Sequence, residues 1–79
     1  MNRITLRYFA VLRERRGTDS EVLMVEEGST LSEIYTQLFP PGPEGALPIA
    51  FALNQEYATG EAVAKNGDEV VFLPPLGGG

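Results

Sequence analysis

The sequence predicts an α+β domain, a mixed sheet curled over one main helix, with a short flexible glycine tail behind it. Three observations carry that prediction. Strand-like runs recur at 3–9, 21–25, 49–53 and 70–73. A single segment, at 30–39, combines helical periodicity with a capping signal. The chain then closes on Pro-Pro-Leu-Gly-Gly-Gly, which neither strand nor helix accommodates.

Along residues 3–9 Ile4, Leu6 and Tyr8 point one way, and Thr5, Arg7 and Phe9 the other. That is a half-buried strand. The run "EVLMV" at 21–25 is a second strand, reached through a long and briefly helical connection in which Gly17 and Asp19 supply turn chemistry. Thr30 and Glu33 have the spacing of a capping box, and Leu31, Ile34, Tyr35 and Leu38 behind them form one apolar stripe. Pro40, Pro41 and Pro43 end that helix, and a loop runs to about Leu47. "IAFAL" at 49–53 reads as a short apolar strand, and "NQE" as a tight turn into another short strand at Tyr57. "KNGDE" at 65–69 carries a second hairpin signal, an Asn-Gly pair that tolerates positive φ, and leads into "VVFL".

The order strand, strand, helix, strand, short strand, strand in so short a chain fits the β-grasp architecture. The domain spans residues 1–75, and the tail 76–79. At 79 residues, folding buries only about 60 to 65% of the unfolded surface, so one small core must suffice.

Composition narrows the chemistry. Cysteine and histidine are both absent, which removes disulfides, thiolate metal sites, the thiol nucleophile and the usual general base. The adjacent acids Asp68 and Glu69 point to opposite faces of a strand and make a poor metal site. No metal and no bound cofactor are expected. A net charge of −5 repels nucleic acid. The cations are bunched, however: Arg3, Arg7, Arg13, Arg15 and Arg16 face Glu14 alone in the first sixteen residues, which reads as a solvated rim or a docking patch for an acidic partner. No apolar run approaches a membrane span, and "MNRITLRYFA" lacks the apolar core of a secretory signal, so a cytoplasmic location is expected.

The tail carries the chemistry. Without side chains, glycine can thread a narrow channel, and the four residues after Pro75 reach at most about 13 to 14 Å when extended. Pro74 and Pro75 remove two ladder donors and stiffen the exit. A carboxylate is a poor electrophile, so this design calls for activation by a nucleotide-using enzyme and transfer of a group onto the activated carbonyl. Gly79 is then a handle rather than a catalyst.

"YFAVLRERRGTDS" at 8–20, "FALNQEYA" at 51–58 and "NGDEVVFLPPLGGG" at 66–79 together resemble the small subunits of molybdopterin synthase, a family of ubiquitin-like sulfur carriers. The resemblance spans nearly the whole chain; the loop at 40–48 is its distinctive part. It implies that an ATP-dependent, E1-like enzyme adenylates Gly79 and that a sulfur donor protein converts it to a thiocarboxylate. It also implies that the tail then enters the large synthase subunit and delivers sulfur to precursor Z to build the molybdopterin dithiolene. ATP belongs to the activating enzyme, and catalysis to the large subunit. Gly78 and Gly79 match the family's diglycine end; Gly77 stands where the family commonly has serine or threonine. Exposed Phe9 and Leu73 on the outer sheet face, joined by Tyr57 at an apolar family position, are the expected partner contacts. Pro74, Pro75, Leu76 and Gly77 carry the tail into the partner. The same chemistry serves a carrier for thiamine, amino acid or tRNA thiolation, and a modifier that forms isopeptide bonds; a ubiquitin-like binding module needs no tail carboxylate at all.

Overall fold

The first strand, β1 (Asn2–Tyr8), buries Ile4, Leu6 and Tyr8 and exposes Arg3, Thr5 and Arg7 in the computed structural model, which describes residues 1–43 and 48–75. It ends one residue earlier than its alternation suggests. Phe9 is the extended N-cap of a short helix, α1 (Ala10–Arg16), and Ala10 turns the chain with φ of 50°. That helix inserts Leu12 into the core and ends at Gly17, whose φ of 75° lets its N–H reach Arg13 O at 2.9 Å. Arg13, Arg15 and Arg16 in its last turn complement the carbonyl end.

Strand β2 (Ser20–Val25) returns antiparallel to β1. The expected capping box opens α2 (Leu31–Leu38): Thr30 Oγ1 accepts from Glu33 N–H at 3.1 Å, and Glu33 Oε1 accepts from Thr30 N–H at 2.9 Å. Leu31, Ile34 and Tyr35 are the face it buries. Strands β3 (Ala50–Leu53) and β4 (Glu56–Ala58) form a hairpin whose two turn residues, Asn54 and Gln55, both have positive φ, 52° and 70°. A two-residue turn of that hand matches the twist of the strands it joins.

Strand β5 (Glu69–Leu73) corrects one sequence reading. The turn at 65–68 forms, with Gly67 at φ 89°, but it closes no hairpin. Instead β5 slots between β1, to which it is parallel, and β3, to which it is antiparallel, giving the order β2-β1-β5-β3-β4. The Asn-Gly signal reports a local φ and says nothing about which strand becomes the neighbour.

The core lies between the inner sheet face and α2. Ile4, Leu6, Tyr8, Val70 and Phe72 meet Leu31, Ile34, Tyr35 and Phe39 there, with Leu12 closing one end. Tyr35 stacks on Phe39 with ring centroids 5.2 Å apart and meets Phe72 edge-on at the same distance, geometries that aromatic quadrupoles favour.

Candidate functional site, the root of the glycine tail

The tail leaves from the middle of the sheet. Pairing with β1 on one side and β3 on the other fixes β5 along its whole length. Its far end is clamped by polar groups. Asn54 donates through Nδ2 to Asp68 Oδ1 at 2.9 Å, while Asn54 Oδ1 accepts from Glu69 N–H at 2.9 Å. Lys65 N–H donates to the other Asp68 oxygen at 2.7 Å, and Asn66 Oδ1 accepts from Arg3 N–H at 2.8 Å. Both Asp68 oxygens are thus engaged in holding the turn. Turn chemistry at Asp68 and Asn54 is visible in the sequence; their bond to each other, fourteen residues apart, leaves no local signal.

At the near end, β5 alternates strictly, with Val70 and Phe72 fully buried and Val71 and Leu73 half-buried on the outer face. Pro74 is half-buried and Pro75 exposed. Register then locates the expected contacts. Tyr8 pairs with Phe72, so Phe9, 44% exposed, stands level with Leu73. Tyr57, 86% exposed, pairs with Ala52, which pairs with Val71, which pairs with Arg7. These four residues make one row across the outer face. Phe9 and Leu73 therefore both stand at the tail's root, whereas Tyr57 sits at the rim, two strands from Val71. Val71, Ala52 and Arg7 complete the row, and period-two alternation alone points to Val71 and Arg7. The expected contacts Leu76 and Gly77, and the diglycine Gly78 and Gly79, lie outside the described residues.

Behind the root, Arg16 grips Glu21 in a two-pronged ion pair, Nε to Oε2 at 2.9 Å and NH2 to Oε1 at 3.0 Å, and so ties α1 to β2. The Arg16 guanidinium holds the Glu21 carboxyl below its ordinary range. The Tyr8 hydroxyl is buried nearby with no hydrogen-bond partner among the described residues. Burial first, then the Glu21 carboxylate, raise its pKa well above that of a free phenol. It stays protonated near neutral pH.

Among the described residues no group of three acidic side chains is placed to hold a metal ion, and no helix is long and apolar enough to cross a membrane.

A five-stranded mixed sheet wrapped on one principal helix, with its last strand central and feeding a glycine end, defines a ubiquitin-like β-grasp protein. The crystal structure of SAMP1 from Haloferax volcanii superposes with a TM-score of 0.77 and 25% identity, covering 99% of this chain and 100% of that one. The chain belongs to the ThiS family, which it matches over residues 6–79. It is 35% identical over 74 residues to a molybdopterin synthase sulfur carrier subunit of Arabidopsis thaliana, covering 90% of this chain and 77% of that protein. A second such subunit, from Chlamydomonas reinhardtii, is 33% identical over 81 aligned positions, covering 96% and 98%.

Proposed function

We propose that this chain is the sulfur-carrying small subunit of a molybdopterin synthase. Similarity to two proteins of that name, 35% and 33% identical over 90% and 96% of this chain, is the observation that carries the reading. The working group is the carboxylate of Gly79. An ATP-dependent activating enzyme converts it to an acyl-adenylate with loss of pyrophosphate. A persulfide on a donor protein attacks the carbonyl and AMP leaves. A thiol then cleaves the S–S bond of the resulting acyl disulfide, forming a disulfide with the donor and releasing the thiocarboxylate, which delivers sulfur to precursor Z in the large subunit. The domain's part is positional. The central β5 and the two prolines aim the tail, while Phe9, Leu73 and Tyr57 hold the outer face against the large subunit with the glycines in its channel.

The test is a chain lacking Gly79. It should melt with the intact protein, since a terminal glycine has no side chain to contribute to a core. It should gain no mass corresponding to exchange of one oxygen for sulfur, and support no dithiolene formation. Retained synthase activity in that deletion sinks the reading. The likeness to SAMP1, a small archaeal modifier protein, favours a second one, in which the same acyl-adenylate meets a lysine amine. Conjugates of higher mass in its native cells, in place of the thiocarboxylate, would select it.

A further inference from the structure

One bond fixes the backbone alternation of β2, which stands at the edge of the sheet. Tyr8 N–H donates to Asp19 O at 2.9 Å, in register with the β1–β2 ladder and one pair beyond it. Bonded and non-bonded pairs alternate along an antiparallel ladder. Glu21, Leu23 and Val25 therefore turn their N–H and C=O toward β1, and Ser20, Val22 and Met24 turn theirs away. The side chains of these last three share the outer face with Arg3, Thr5 and Arg7.

The two ends of this open edge are closed. Thr18 Oγ1 accepts from Ser20 N–H at 3.4 Å and donates to Ser20 O at 2.9 Å. At the other end the Glu26 carbonyl accepts from the N–H and the hydroxyl of Ser29. Val22 and Met24 remain, each 52% exposed, with no described strand beside them. Edge strands are ordinarily protected by outward charges, proline or bulges. Here the outward side chains are Ser20, Val22 and Met24, and the strand's one charge, Glu21, points inward to Arg16.

We propose that two copies of this chain pair through β2, antiparallel about a two-fold axis normal to the sheet at Leu23, to form one continuous sheet of both copies. Such an axis keeps outer face with outer face, so facing residues must share parity; Val22 or Leu23 can sit on it. An axis at Val22 needs the backbone groups of Ser20 that Thr18 already occupies. An axis at Leu23 pairs Val22 of one copy with Met24 of the other, twice, and closes four N–H to C=O bonds with apolar side chains facing each other. It also sets Ser20 opposite Glu26 of the second copy. Arg7 lies one strand further, two strand spacings or about 10 Å from that glutamate across a small serine. Symmetry repeats this charge complementarity, which singles out a second copy as the occupant. The tail root stays free in both copies, since β5 is two strands from the paired edge.

Sedimentation of the full chain from micromolar to millimolar concentration tests this, with hydrogen exchange read in parallel. The mass should rise from 8.6 kDa to twice that value, and the Val22 and Met24 amides should slow as it does. Met24→Lys and Val22→Lys each place a charge on the outward edge and should weaken association about tenfold or more. Their melting in dilute solution should match the parent, because both side chains are already exposed. Tyr57→Lys, on the opposite edge strand, should dimerise like the parent. A single 8.6 kDa species at every concentration overturns the proposal. So does a Met24→Lys dimer as tight as the parent's, or a dimer abolished by Tyr57→Lys. Protection of the two amides only when the large subunit is added overturns it too, and gives the edge to a strand of that protein.

Discussion

Tyr8 is the residue at which burial and polarity disagree. Its ring is 1% exposed and meets Phe39 edge-on at 5.7 Å, yet its hydroxyl has no partner among the described residues. A buried hydroxyl left unbonded costs about 1 to 3 kcal/mol. Tyr8→Phe should therefore leave stability unchanged or raise it by up to about 1 kcal/mol; a loss of that size in chemical denaturation would show a hydrogen bond to Glu21 instead. At the other end of the chain, the proposed channel admits backbone alone. Gly78→Ile should block loading and transfer through its branched Cβ, whereas Gly77→Ser should be tolerated. Mass spectrometry after treatment with the activating enzyme reads loading directly, and a normally loaded Gly78→Ile chain would refute the channel. None of the Tyr8 conflict is legible in the sequence, where that residue is one apolar position among others. The diglycine is a feature of the sequence alone, and its role belongs to the proposed function.

At the scale of elements, the clearest sequence signals were those with a local cause. The capping box at Thr30 and Glu33 forms as its spacing implies, because both hydrogen bonds close within one turn. Alternation in β1 and β5 fixes which side chains are buried. Two features were not legible, and for one physical reason. The parallel pairing of β5 with β1 and the Asn54–Asp68 clamp join residues far apart in sequence, and neither partner's identity encodes the other's position. Thr30→Ala should cost about 1 kcal/mol, visible as a melting-point drop of roughly 4–8 °C in a domain of this size. Glu33 adds a pH dependence. Hydrogen bonding to Thr30 holds its carboxyl below the ordinary range, so its contribution is present above the unfolded carboxylate pKa and lost as pH falls through the folded value. Glu33→Gln keeps the capping geometry without the titration. It should melt near the parent at neutral pH and show a shallower acid limb; equal acid limbs would show that Glu33 plays no part in the loss.

For the molecule as a whole, the sheet separates two tasks between its faces. The inner face supplies the stability a small domain must draw from one core, and the outer face, to which the tail root belongs, is the one the proposed partner would cover. Central placement of β5 makes that division useful: a strand bonded on both sides passes any pull on the tail into the sheet rather than peeling away from an edge. The faces should respond differently to truncation. Phe72→Ala or Leu6→Ala removes a side chain with no exposed surface and should cost about 2 to 5 kcal/mol, a large share of the stability of so small a domain. Phe9→Ala and Leu73→Ala remove side chains that are half-exposed or only half-buried and should shift unfolding much less. If these residues anchor the large subunit, each should weaken its binding by about 1 to 3 kcal/mol, roughly 5- to 150-fold in affinity. Tyr57→Ala, at the rim of the same face, should fall at the low end of that range. Two measurements on each variant decide the matter: thermal unfolding of the free domain, and titration against the large subunit. Should Phe9→Ala and Leu73→Ala unfold the free domain, or leave the titration unchanged, the outer face is not the binding face and the tail root is presented to the partner from another side.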